Sequence, residues 1–508
     1  MAGEETHADD TPATGPDSST LKLSVARTLK WNVIDRLSSQ VLYAVTGVVL
    51  ARMLTEEEFG LVGAILVFQA FAALFVDSGF ASALLQRKAP SRLDYSTVLW
   101  FNFFMATGIY VILYFLAPWI SDIFQGDRRI IPLARVMFLT FIVNSLTIVQ
   151  VNRLIKRMDT RMVAVSNSLG LVAGAVVGIY LAVSGYGAWA LVWQAMAISV
   201  VKAAVLWATS GWRPLWQFSF SSLRSFFRLG TGVMFSSLLN TVFQTIGSFF
   251  IGSWVNLGAL GYYTQADKWS KMGVTSLTQV FTSSFVPLLS SVQDDQERYA
   301  RMCGKTHRLA SYLLFPAMCL LAVMAKPIFH TLFGTKWDAS IILFQILLLR
   351  GIFMVLSSLY SNFILSMGKP KMLVASEVIR DGASVVAIVL TLPYIALTRV
   401  DNIVYGIEIF LWGQLGAAFV TWIASMIFAI KVSHRSMMSY IGDIAPYFSL
   451  TCLGLVPGVL ILQSDVNPLL MCVLQATSFA GIYLGINAML RSKIQSDVLG
   501  YLFKRFRK

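Results

Sequence analysis

Charge is scarce in this chain. Of its 508 residues, 13% are Asp, Glu, Lys or Arg, and 56% are hydrophobic. A soluble domain carries about 25% charged residues. With roughly half that share, and with apolar runs longer than about 18 residues, the chain reads as a polytopic membrane protein. A soluble enzyme, a secreted disulfide scaffold and a disordered protein are excluded. Cysteine is rare too. Cys303, Cys319, Cys452 and Cys472 are never paired at metal or redox spacing, so neither a disulfide nor a metal site is expected. The four histidines, His7, His307, His330 and His434, fall in the N-terminal tail or toward the edges of apolar runs. That argues against the intramembrane histidine of a membrane-bound acyltransferase. There is no Walker A lysine loop, so the chain is not expected to hydrolyse ATP. No Ser/His/Asp set can be assembled. Residues 1 to 24 are polar and carry Glu4, Glu5, Asp9, Asp10 and Asp17. They read as a disordered cytoplasmic tail rather than a signal peptide, which begins basic and turns apolar.

What is there is a succession of apolar segments: 28–52, 60–85, 96–120, 130–152, 162–184, 187–209, 226–252, 269–292, 305–325, 339–366, 372–398, 404–432, 444–463 and 466–490. Each is near the roughly 20 residues that cross a bilayer. The expectation is an all-α polytopic membrane protein of about fourteen transmembrane helices. The formal charge is +14, but the cations sit in short loops, so membrane topology rather than nucleic acid accounts for them. Arg87, Lys88 and Arg92, then Arg153, Lys156, Arg157 and Arg161, then Arg213, Arg224 and Arg228 mark one side. Arg491, Lys493 and the basic tail at 493–508 lie on that same side. Both termini are therefore expected in the cytoplasm. The opposite loops are poor in cations and include Glu56, Glu57 and Glu58. Thr55 followed three residues later by Glu58 reads as a capping box at a helix start. No loop is long enough to fold as a catalytic domain.

A repeat runs through the chain. Residues 50–63, LARMLTEEEFGLVG, align with 251–264, IGSWVNLGALGYYT, so that Phe59-Gly60-Leu61 overlies Leu260-Gly261-Tyr262 at a shift of 201. The same shift places Arg27 on Arg228. This implies two parallel six-helix lobes, 25–212 and 213–435, with two extra helices at 436–492. Gly170, Gly174 and Gly178 have the spacing that lets membrane helices pack closely.

Charges inside apolar runs cost roughly 2.5 to 3.5 kcal/mol each on insertion scales, so they face a cavity or a partner. Arg36 and Asp77 each lie 8 residues from the same side of their runs, about 12 Å deep. They read either as an ion pair between adjacent helices or as lumen residues, Arg36 meeting substrate phosphate and Asp77 holding or releasing it. Arg350 lies 11 residues inside 339–366 with no charge nearby in sequence, as a cavity cation reading an anion would. Lys268 and Lys271, beside Asp267, are placed at the start of the eighth helix, where snorkelling to the interface is the alternative. Glu377, Arg380 and Asp381 share one helical face, either as a self-neutralising cluster or as a proton- or ion-linked gate.

The segments LTEEEFGLVGAILVFQAFAALFVDSGFASALLQRK (54–88), GYGAWALV (185–192) and LGALGYYTQADKW (257–269) resemble the bacterial polysaccharide flippases. These export O-antigen, colanic acid and teichuronic acid type lipid-linked oligosaccharides, within the multidrug/oligosaccharidyl-lipid/polysaccharide superfamily. The resemblance covers residues 25–435 and implies a V-shaped bundle whose cationic lumen opens alternately to each side. It implies a polyprenyl (undecaprenyl) diphosphate oligosaccharide as substrate, moved from the cytoplasmic to the periplasmic leaflet of the bacterial inner membrane for surface polysaccharide biosynthesis. It further implies Na⁺ or H⁺ coupling with no bound cofactor, a monomer, and a polysaccharide polymerase and chain-length regulator as working partners. Arg36, Arg350 and Lys268 are then the expected diphosphate ligands, and Asp77, Glu377, Arg380 and Asp381 the expected gating or coupling groups. A multidrug exporter of the same fold is the first alternative, and a membrane glycan ligase or polymerase the second.

Overall fold

In hydrocarbon a backbone can satisfy its own hydrogen bonds locally only as a helix, and the apolar runs of this chain become helices. The computed structural model describes residues 18–77, 84, 87, 90–399, 402–464, 466–497 and 500. Among them are α1 (Ser18–Met53), α2 (Glu56–Asp77), α3 (Arg92–Ile123), α4 (Ile130–Lys156), α5 (Arg161–Val183), α6 (Trp189–Thr209) and α7 (Phe220–Phe250). They continue with α8 (Leu257–Ser290), α9 (Gln296–Val323), the short α10 (Ala325–Leu332), α11 (Asp338–Ser366), α12 (Pro370–Thr391), α13 (Tyr405–Ser433), α14 (Met437–Ile461) and α15 (Pro468–Met489). Fourteen of these fifteen exceed 20 residues. Ten of the helices in the described residues are long and apolar enough to cross a membrane. In α8 and α12, outside those ten, polar and charged residues interrupt the apolar run.

The chain divides into two compact units. The first holds Met1–Gly47, Ala72–Phe115 and Ala134–Leu238. Its α5 and α6 pack along the glycine stripe that the sequence marks. Gly170, Gly174 and Gly178 are all buried, and a Cβ on Gly174 would sit 2.4 Å from Ile198 Cγ1. Loop cations staple one end of this unit. Arg92 donates to the Arg213 carbonyl at 3.1 and 3.2 Å, Arg153 to that of Ser210 at 3.0 Å, and Lys156 to that of Leu84 at 3.1 Å. Arg87 pairs with Asp94 at 3.0 Å.

The second unit holds Val48–Phe71, Leu116–Leu133 and Leu239–Lys508. Here the repeat becomes geometry. Helices α2 and α8 begin 201 residues apart, at Glu56 and Leu257, each behind a capping side chain. Thr55 Oγ1 accepts from the Glu58 amide at 3.3 Å while Glu58 accepts from the Thr55 amide at 2.7 Å, the expected capping box. Asn256 Oδ1 accepts from the Ala259 amide at 2.7 Å. The two helix starts cross at glycines. A Cβ on Gly60 would lie 1.7 Å from the Leu257 carbonyl oxygen, and one on Gly261 would lie 1.8 Å from that of Glu56. The contact is reciprocal, as a two-fold related pair requires. Nearby, Arg129 pairs with Glu57 and with Asp127, and its guanidinium holds the Asp127 carboxyl below the usual carboxylate range.

The Asn256 cap also corrects an expectation. The sequence starts the eighth helix at 269, because residues 257–268 are polar and glycine-containing. The structure starts it at Leu257, so Lys268 and Lys271 lie well inside a helix rather than at its end.

Substituting Gly60 or Gly261 by Ala drives a methyl group into a backbone carbonyl. Each change is expected to destabilise the protein by about 2 kcal/mol or more. Gly108→Ala, with nothing within 4 Å of its Cβ position, is expected to leave the melting temperature in detergent unchanged. Thermal melts of the three variants check this.

Candidate functional site

Within the second unit, α7, α8, α11 and α13 enclose a cavity of about 150 Å³. Its wall includes Gln244 and Gly247 from α7, Tyr263, Asp267, Ser270 and Lys271 from α8, Arg350 and Gly351 from α11, and Phe410 and Gln414 from α13. Small residues set its width. Gly351 faces Val274, whose Cγ2 would lie 2.4 Å from a Cβ there, and Gly247 faces Phe410. Three charged side chains line it: Asp267, Lys271 and Arg350. Asp267 and Lys271, one helical turn apart, form an ion pair at 2.6 Å. Among the described residues, no carboxylate lies within 4.0 Å of Arg350. The wall therefore carries one cation in excess.

Arg350 is thus a cavity cation, as its position in the sequence suggests. Lys268 is not in this wall. It lies on α8 with its amine 5.5 Å from the centre of the Trp269 ring, while Lys271, three residues on, takes the cavity position. The sequence reading weighs Lys271, beside Asp267, as an interfacial lysine at a helix start, because the late start places it there, and it does not name Gln414. Arg36 is exposed on α1 in the first unit. Its neighbour Asp35 accepts from Asn167 Nδ2 at 3.2 and 3.3 Å. Asp77 ends α2, but its side chain lies outside the described residues, and so does the expected Arg36–Asp77 pair. On α12, Arg380 meets Asp381 at 2.9 Å and Glu377 at 4.0 Å, so one cation is shared by two carboxylates.

A second polar cluster was hidden by its distribution over distant segments. His307, placed toward an edge by the sequence, is fully buried in α9. Its Nδ1 lies 3.5 Å from Asp443 Oδ2 on α14, and its Nε2 lies 3.1 Å from the Tyr360 hydroxyl on α11. Asp443 also accepts from Arg308 at 2.9 Å and pairs with Arg435 at 2.8 Å. Gly304 makes room for the Arg435 guanidinium, 2.9 Å from where a Cβ would be. This node fastens α14 to α9. Breaking such a buried pair from one side costs about 3 to 5 kcal/mol.

The sequence profile described as "Polysaccharide biosynthesis protein" matches residues 49–342, more than half of the chain. The chain belongs to that family. It is 26% identical over 314 residues to the succinoglycan biosynthesis transport protein ExoT of Rhizobium meliloti, covering 62% of this chain and 63% of that one. It is 25% identical over 331 residues to the lipopolysaccharide biosynthesis protein WzxC of Escherichia coli, covering 64% of this chain and 66% of that one. The chain thus matches just under two thirds of the length of each of these relatives. Among solved structures it superposes on the lipid II flippase MurJ in an inward closed conformation with a TM-score of 0.71 at 12% identity, over 91% of this chain and 99% of that one. The flippase-type helical bundle expected from the sequence is therefore the fold of this protein, a multi-pass membrane protein.

The charge of the cavity is directly measurable. With the four native cysteines replaced, a Thr275→Cys variant should react faster with an anionic than with a cationic methanethiosulfonate, after correction for intrinsic reactivity. Arg350→Gln should remove that preference. A faster cationic reagent would mean that Asp267 rather than Arg350 sets the local potential.

Proposed function

We propose that this protein is a flippase. It carries a polyprenyl-diphosphate-linked oligosaccharide from the cytoplasmic to the periplasmic leaflet of a bacterial inner membrane, by alternating access, with both termini in the cytoplasm. The physical need is plain. A diphosphate with sugars attached cannot enter hydrocarbon, because unpaired charge and unsatisfied hydroxyl groups are too costly there. A cationic, hydrated path removes that cost, while the prenyl chain stays in lipid. The observation that carries the reading is Arg350, a cavity cation without an ion-pair partner among the described residues, in a chain of the polysaccharide biosynthesis family. The lobes at 25–212 and 213–435 are the moving bodies in this mechanism, and Arg36 and Lys268 are further candidates for the phosphate path. Coupling to a proton or Na⁺ gradient supplies direction. Glu377 and Asp381 both pair with Arg380 on α12 and remain candidates beside Asp77, the first coupling residue to test.

Deleting the gene should leave the lipid-linked glycan protected from a membrane-impermeant glycan-modifying reagent in spheroplasts. The wild-type gene should restore access, whereas Arg350→Ala, at equal expression, should fail by at least about tenfold. Normal sidedness in the deletion strain, together with drug sensitivity, would replace this reading with that of a multidrug exporter.

A further inference from the structure

The cavity holds one feature that a simple anion trap does not need, its own acid. We infer that Asp267 is a resident counter-anion that a phosphoryl group displaces, with Lys271 passing from Asp267 to the phosphoryl oxygens and Gln414 donating to them. This rests on the phosphate reading given above and adds to it how the site loads and empties.

Three observations carry it. The Asp267–Lys271 pair lies within one helix and faces the cavity, with the lysine side chain half-exposed. Pairs of this kind are weak and exchange readily. A phosphoryl group with two charges and several acceptor oxygens is a stronger partner for the amine than one carboxylate. Next, the Gln414 side chain lines the same wall, is 7% exposed, and its Nε2 finds no acceptor among the described residues. A buried N–H without an acceptor is costly, so this donor is set for an oxygen brought in by a ligand. Finally, Arg350 lines the same wall and leaves the cavity one cation in excess. That excess suits an anionic phosphoryl group. Once the phosphoryl group has taken Lys271, the bared Asp267 carboxylate repels it. The site therefore binds without trapping, as a carrier must.

The test is pyrophosphate binding to the purified full-length protein in detergent, by isothermal titration. A like charge within about 10 Å at an effective dielectric near 20 is worth roughly tenfold in affinity. Asp267→Asn should therefore bind pyrophosphate about tenfold more tightly. Lys271→Gln and Gln414→Leu should bind more weakly, and the Asp267→Asn tightening should shrink in the Lys271→Gln background to the part that direct repulsion supplies. Farnesyl diphosphate in place of pyrophosphate separates a lipid-linked from a free phosphate as the ligand. If Asp267→Asn binds no more tightly, or tightens by the same factor without Lys271, the exchange is wrong. If binding depends on Arg350 and yet is indifferent to Asp267, only the exchange falls and the flippase reading stands. If neither the wild type nor Asp267→Asn binds either diphosphate, both fall.

Discussion

The crossing of α2 and α8 at Gly60 and Gly261 is the constraint on which the second unit depends. Each glycine takes the other helix's first carbonyl into the space a side chain would fill. That closeness fixes the register of α8. Asp267 lies six residues beyond Gly261, about 9 Å along the helix, so the crossing also fixes where the polar turn of α8 meets the cavity. The capping groups Thr55–Glu58 and Asn256 define the two helix starts, and the register could not hold if either start frayed.

In a chain with so few charges, a set of the described ones is committed to structural contacts. Arg92, Arg153 and Lys156 cap loop carbonyls in the first unit. Arg308 and Arg435 converge on Asp443 in the second. Arg129 joins Glu57 to Asp127, and on α12 Arg380 pairs with both Glu377 and Asp381. Against that background Arg350 stands apart, a cation in a cavity wall with no carboxylate within 4.0 Å among the described residues. Its neighbours Asp267 and Lys271 form a pair weak enough to open. The structural charges reach an acid or a backbone carbonyl, whereas Arg350 reaches no carboxylate among the described residues. That contrast separates clasp from site without any motif.

Much of this was legible in the chain. The apolar runs mark the helices because a bilayer admits few alternatives. The shift of 201 reappears in the starts of α2 and α8 and in the pairing of Gly60 with Gly261. The solitary position of Arg350 pointed to a cavity. Other features were not legible. The start of α8 was missed because Gly258, Gly261 and Gln265 look like loop residues until a facing helix accounts for the glycines. Lys271 therefore looked like an interfacial lysine. His307 and Asp443 are 136 residues apart, and nothing in either segment names the other.

The sequence by itself determined the class of solvent, the all-helical architecture, the Thr55–Glu58 cap and the 201-residue shift between the starts of α2 and α8. Each of these is local, set by hydropathy over some twenty residues or by a side chain reaching its own backbone. Tertiary structure alone decided which charges are spent on one another and which face a cavity. That depends on which helix faces meet, and helices far apart in the chain meet through close packing at particular small residues, a property of pairs of segments that neither segment carries alone.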